Sequence, residues 1–156
     1  MRLALYQPDI PQNAGAVLRL GACLGVGVDI IGPCGFVLDD RRLRRAAMDY
    51  AAAGEVARHV SWDAFLSTLG AAGGRLVLLT AAPGATQHVA FPFRGDDILL
   101  LGRESVGIPE SVHAQVESRV RVPMRPGLRS LNVVTAAAIV LGEALRQLSA
   151  FPGLDK

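Results

Sequence analysis

Apolar residues fall in short runs separated by polar and glycine- or proline-rich breaks, and the period of each run predicts an element. Residues 2–7 form an apolar run ended by Pro8 and Pro11, which predicts a strand. Asn13 can then cap a helix, NAGAVLRLGACLG, whose Val17, Leu18, Leu20 and Leu24 share helical spacing and which Gly25 and Gly27 stop. Residues 28–31 predict a second strand, Asp39 and Asp40 open a helix with the sequence DDRRLRRAAMDY, and residues 55–60 predict a third strand. Ser61 is placed to cap WDAFLSTL, with Gly70, Gly73 and Gly74 closing it. The continuous runs 76–79 and 98–101 have the character of central parallel strands covered on both faces. Pro109 starts a short helix through Val116, residues 119–124 form the last strand, and residues 130–148 form a final helix about 30 Å long, with Ser130 as its cap. Strand and helix alternate, so the expected fold is α/β with a mainly parallel sheet, in one domain spanning 1–156.

The final helix is apolar nearly all round from Val133 to Leu141, which predicts burial on more than one side. Ala136, Ala137 and Ala138 would admit a close helix, and Ala14, Gly21 and Ala22 of the first helix offer a partner helix a close approach. Both features suggest internal packing plus a subunit interface.

Composition narrows the chemistry. Of 156 residues 51% are hydrophobic and 19% charged, enough to build a sizeable core. Fifteen arginines stand against one lysine, the terminal Lys156, which excludes an internal Schiff-base lysine or a P-loop lysine. The net charge of +2 is compatible with an anionic partner. Cys23 and Cys34 have neither CxxC nor zinc spacing, and no run reaches membrane-span length, so a reduced, cytoplasmic protein is expected. GxGxxG, HExxH and GxSxG are absent, and His59, His88 and His113 are scattered, so no metal is expected.

Three polar segments follow predicted strands. Gln12-Asn13-Ala14-Gly15 with Arg19 can approach one end of the sheet, or can be a plain cap and a surface arginine. Gly102-Arg103-Glu104-Ser105-Val106-Gly107-Ile108-Pro109 follows a buried strand; Gly102 would let a ligand approach the backbone and Glu104 could complement a cation, although an ordinary turn also fits. The segment from Val122 to Asn132 ends at a helix start, where free N–H groups gather. Arg41, Arg44 and Arg45 share one helix face near its amino end. The dipole disfavours cations there, so the cluster suggests an anionic partner as readily as a solvated face.

Together, NxGxxxR, LLLGRESVGIP and VPM…RSLNVVTAAAIVLGEAL resemble the SPOUT superfamily of knotted RNA methyltransferases, in its SpoU branch. YQPDIPQNAGAVLRL, GFVLDDRRLRRAAMDY and RSLN are similar to the stand-alone members that methylate the wobble nucleotide of tRNA. The resemblance runs the length of the chain; Arg103 and Val106 depart from the family's commoner GPETRGLP. It implies a homodimer with a C-terminal deep trefoil knot. S-adenosylmethionine would be bound bent, largely by backbone groups, at Leu79, Gly102, Val122, Ser130 and Leu131, and S-adenosylhomocysteine would be released. It also implies methylation of the ribose 2'-hydroxyl of cytidine or modified uridine 34, on the anticodon stem-loop and expected in leucine tRNA. Another tRNA position, an rRNA position or an inactive RNA-binding knotted dimer are the alternatives. Arg19 would serve as base or as alkoxide stabiliser, with Asn13, Glu104 and Asn132 completing the catalytic set. Arg41, Arg44, Arg45, Arg125 and Arg129 would contact RNA.

Overall fold

A computed structural model describes residues 1–37 and 54–153. The expected helix at Asp39 and Asp40, with Arg41, Arg44 and Arg45, lies outside the described residues. Seven strands form one sheet: β1 (Arg2–Tyr6), β2 (Gly27–Ile31), β3 (Val56–His59), β4 (Arg75–Leu79), β5 (Thr86–Gln87), β6 (Asp97–Leu101) and β7 (Ser118–Arg121). Their order is β3-β2-β1-β6-β4-β7-β5, and every pairing is parallel. Among the described residues the α-helices are α1 (Pro11–Leu24), α2 (Trp62–Ala72), α3 (Glu110–His113) and α4 (Val133–Gln147).

The side-chain period of two divides the core between the sheet's faces. Leu3 and Leu5 of β1, with Leu99 and Leu101 of β6, meet Val17 of α1 and Leu141 of α4 on one face. Ala4, Tyr6, Ile98 and Leu100 meet Trp62 and Phe65 of α2 and Val112 of α3 on the other. Because both faces are covered, β6 is buried at all five positions, and its apolar run shows no alternation.

Several boundaries differ from expectation for identifiable reasons. α1 begins at Pro11 with Ile10 as its cap; Pro supplies a preset φ where no N–H is needed, so Asn13 lies inside the first turn and caps nothing. β4 and β6 each start one residue early, on Arg75 and Asp97, which face each other in register. Asp97 is fully buried yet accepts from Arg75 Nε at 2.7 Å, from Arg75 Nη2 at 2.8 Å and from Arg94 N at 2.8 Å. A charged strand residue therefore costs little here, because each carboxylate oxygen is satisfied. β7 stops at Arg121, where its pairing with β5 ends, and Pro123 has no N–H to extend the ladder. Gly70 lies within α2, which Ser61 does cap by accepting from Ala64 N at 3.2 Å.

α4 is shorter than the pattern suggested, 15 residues or about 22 Å. Ser130 is not its cap. Asn132 is: its side chain accepts from Val134 N at 2.9 Å and from Thr135 N at 3.2 Å. Gln147 near the other end donates to Phe91 O and accepts from Phe93 N, both at 3.1 Å, so α4 holds the loop before β6.

The small residues of α1 and α4 are also used differently. Ala14 and Ala137 are completely buried within the chain. Gly21 lies under β2, where a Cβ would come 2.6 Å from both Val26 O and Val28 Cγ2. These three serve internal packing; the exposed positions of α4 are Thr135, Ala138, Ile139 and Arg146. Gly21→Ala should therefore destabilise the protein by about 1–3 kcal/mol through overpacking. Urea unfolding checks this, and an unchanged midpoint would count against the tight fit of α1 under β2.

Candidate active site

Leu79 and Leu101 end β4 and β6 side by side in register. There the two chains leave the sheet, and β7, next to β4, sends its own chain out at Val122. The three departing loops, with the start of α1 and the start of α4, enclose a cleft of about 580 Å³. This is the carboxyl edge of an open parallel sheet, where ligands of such folds sit.

Leu79, Gly102, Val122, Ser130 and Leu131 all line the cleft, as do Asn13, Glu104 and Asn132. Residues up to 119 positions apart are thereby joined: Asn132 Nδ2 donates to Asn13 Oδ1 at 3.2 Å, so the residue that caps α4 also ties it to α1. Glu104, half-buried, accepts from Asp9 N at 3.2 Å. Burial is the first cause that pushes its carboxyl above the usual range, and the Asp9 side chain adds to that, while the Asp9 N–H works the other way.

Gly102, in the cleft lining, is also held small by its own loop. A Cβ there would lie 3.0 Å from Ile108 Cγ1 and 3.4 Å from the Gly107 carbonyl carbon. The loop folds back on itself, with Gly107 N donating to Arg103 O at 2.8 Å, so the space beside Gly102 belongs to the loop. Arg103, where the family commonly has proline, reaches back through Nε to Gln7 O at 3.0 Å and ties this loop to the end of β1.

Arg19 does not line the cleft that Asn13 lines. Six residues turn a helix through about 600°, which leaves Arg19 about 120° around α1 and about 9 Å further along it. Arg19 is exposed on that other face. Arg125 and Arg129 are exposed on the loop that contributes Met124, Ser130 and Leu131 to the cleft. His113 and Thr80 also line it, although the isolated histidine carried no sequence signal. Among the described residues no three His, Cys, Asp or Glu side chains are grouped to hold a metal ion. No helix among them is long and apolar enough to cross a membrane.

A doubly covered parallel sheet with a mixed apolar and polar cleft at its carboxyl edge places the protein in the open-sheet α/β class, whose ligands sit at that edge. Residues 1–142 match the SpoU rRNA methylase family, and the chain belongs to that family of methyltransferases. The tRNA (cytidine(34)-2'-O)-methyltransferase of Beijerinckia indica is 57% identical over 148 residues, covering 95% of this chain and 92% of that protein. A solved structure from work on the 2-OH methylation of C/U34 on tRNA superimposes with a TM-score of 0.89 at 41% identity, covering 95% of each chain. An AdoMet-bound rRNA methyltransferase from Sinorhizobium meliloti has a TM-score of 0.84 at 27% identity, covering 94% of this chain and 56% of that one.

Proposed function

We propose that this protein methylates the ribose 2'-hydroxyl of nucleotide 34 of tRNA, a cytidine or modified uridine, in leucine tRNA, using S-adenosylmethionine. The observation that carries the reading is the gathering of Asn13, Glu104, Ser130 and Asn132 around one cleft at the ends of β4 and β6. The wobble nucleotide as target is supported by the relatives named for position 34.

The cleft suits the donor. Its volume lies within the range of small-molecule sites. Leu79, Ile108, Val122 and Leu131 offer apolar walls to a base, and Thr80, Ser130 and Asn132 offer hydroxyl and amide partners to a ribose and an amino-acid group. When bound, S-adenosylmethionine supplies an electrophilic methyl whose bond to sulfur breaks as the bond to the ribose oxygen forms. The walls of the cleft fix position, and alignment of that kind accounts for about 7–11 kcal/mol in favourable cases. Asn132, held by Asn13 and by the first turn of α4, keeps the α4 end of the cleft in place. A guanidinium is a donor with no basic lone pair to offer, so the reading gives Arg19 no part in removing the proton. Its role is to orient the ribose and stabilise the alkoxide as the hydroxyl proton leaves to water.

Since Arg19 does not line the cleft formed by its own chain, the reading includes a homodimer in which Arg19 of one protomer faces the cleft of the other. Ala138 and Ile139, exposed on α4, support such an interface. A C-terminal trefoil knot belongs to the same reading. It is supported by β7 crossing beyond β4 and by α4 returning to pack on α1 and β6.

Mass mapping of methylated nucleosides in tRNA from a deletion strain tests the function: the 2'-O-methyl group at position 34 should be missing and return on complementation. Full methylation at 34 in that strain, with a loss in rRNA, would instead favour an rRNA target, as the family's description suggests. Transfer should persist in EDTA, with tRNA folding controlled. Replacing Arg41, Arg44 and Arg45 together with alanine should weaken tRNA binding and flatten its salt dependence by about 0.7–0.9 log–log units for each phosphate no longer neutralised. An unaltered tRNA affinity at low salt would leave that segment a solvated face.

A further inference from the structure

Beside the cleft, the backbone bond from Asp9 to the Glu104 side chain sets two carboxyl groups near one another. Their other partners are plain. Asp9 N donates to Glu104 Oε2 at 3.2 Å, and Ser105 Oγ donates to Asp9 Oδ2. What remains is one buried oxygen on each carboxyl, Asp9 Oδ1 and Glu104 Oε1, with no donor among the described residues. Asp9 cannot easily swing away. Gly35 N donates to Pro8 O at 2.9 Å, and a Cβ on Gly35 would come 2.8 Å from Asp9 Cβ.

Two adjoining carboxylates cannot both ionise without strong repulsion, and buried oxygens without donors are costly. A single proton held between them removes both penalties. We propose that Asp9 is a positioning residue for methyl transfer: it shares one proton with Glu104 and so fixes the Glu104 carboxyl at the cleft wall, a role that presupposes the methyl-transfer reading above. Asp9, to which Ser105 donates and near which Arg103 lies, is the charged partner, and its carboxyl is held below the usual range chiefly by the hydrogen bond to Glu104. Glu104 keeps the proton, being the more desolvated of the two. The charged and titratable groups around Glu104 are Asp9 across the β1–α1 turn, Arg103 on its own loop and His113 of α3, which lines the same cleft. The cleft wall thus carries one negative charge where the sequence counts two.

Carbon-13 NMR of the two carboxyl carbons, assigned through the backbone, tests this on the intact protein without substrate. Coupled groups titrate as a pair. In the wild type each carbon should therefore report two steps, separated by more than about one pH unit. Asp9→Asn removes the proton-sharing partner and supplies an amide N–H to ionised Glu104, so the Glu104 midpoint should fall by about one unit or more. Affinity for S-adenosylhomocysteine, followed by calorimetry across pH, should inflect at the pair's upper step, and the inflection should move down with Glu104 in the variant. Single independent steps in the wild type overturn the shared proton, and this outcome needs no variant to fold. A Glu104 midpoint that moves while the affinity profile does not overturns the positioning role. A wild type that shows the two-step titration and the inflection but methylates no RNA overturns the functional reading instead.

Discussion

Arg75→Ala should lower the free energy of unfolding by about 3–5 kcal/mol, the cost of stranding a buried charge. Asp97 is 0% exposed, and two of its three donors are on the Arg75 guanidinium, at 2.7 and 2.8 Å. Without them the carboxylate keeps only Arg94 N. Arg75 also donates to Pro92 O at 2.8 Å and lies 4.9 Å from the centre of the Phe91 ring, so the loop before β6 loosens as well. Equilibrium urea unfolding followed by far-ultraviolet circular dichroism reads the loss. A double change, Arg75→Met with Asp97→Leu, removes both charges and should recover much of it. A loss below about 1 kcal/mol for the single change, a value typical of an exposed pair, would mean that Asp97 is not isolated from water. The consequence reaches the cleft: the same two strands that begin at this pair end at Leu79 and Leu101.

Arg19→Ala should reduce methyl transfer by about 10²–10³-fold, the loss seen when one donor to a developing oxyanion is removed. S-adenosylmethionine affinity should be unchanged, because Arg19 does not line the cleft of its own chain. Single-turnover kinetics with tRNA, set beside calorimetry of the donor alone, separates the two effects. Mixing Arg19→Ala chains with Ser130→Ala chains tests the shared site. If Arg19 acts across the interface, one site of a mixed dimer carries both defects and the other carries none, so activity returns. If each chain is self-contained, every site carries one defect and none returns. Ile139→Glu, on the exposed part of α4, tests the dimer without disturbing the core. Ala137, fully buried in its own chain, is unsuitable for that purpose.

The sequence reveals strands well where burial is complete. The runs 98–101 and 76–79 stand out because both sheet faces demand apolar side chains. Their first residues, Asp97 and Arg75, are not legible as strand, since only the pairing of two elements 22 residues apart makes the charges tolerable. Caps are legible when local: Ser61 bonds three residues on. Asn132 and Ser130 cannot be separated by capping propensity, because both are good caps. The tie from Asn132 to Asn13 across 119 residues favours one of them. The cleft is legible as three loops with polar and glycine residues, and eight of the residues singled out for catalysis or cofactor binding do line it. For Arg19 the spacing of six from Asn13 suggests a shared end of the sheet, whereas helical geometry sends it round the axis. Asp9 carries no signal: its partner is 95 residues away, and only the fold makes them neighbours.

The strand order also bears on how this chain is born. β1 lies beside β6, with Leu5 paired to Leu101, so β1, once it has left the ribosome, needs a neighbour made 96 residues later. At about 5–20 residues per second, synthesis of that neighbour takes roughly 5–20 s. Through that interval β1, β2 and β3 can pair, but β1 keeps an open apolar edge of the kind that captures other strands. Non-local parallel pairing is also slow to close, because loop entropy is given up before the new pairing offsets it. The nascent chain therefore passes through a stage in which its most buried surface is its most adhesive. Occupancy by a holdase chaperone should be greatest from the emergence of β1 until Leu101 clears the exit tunnel.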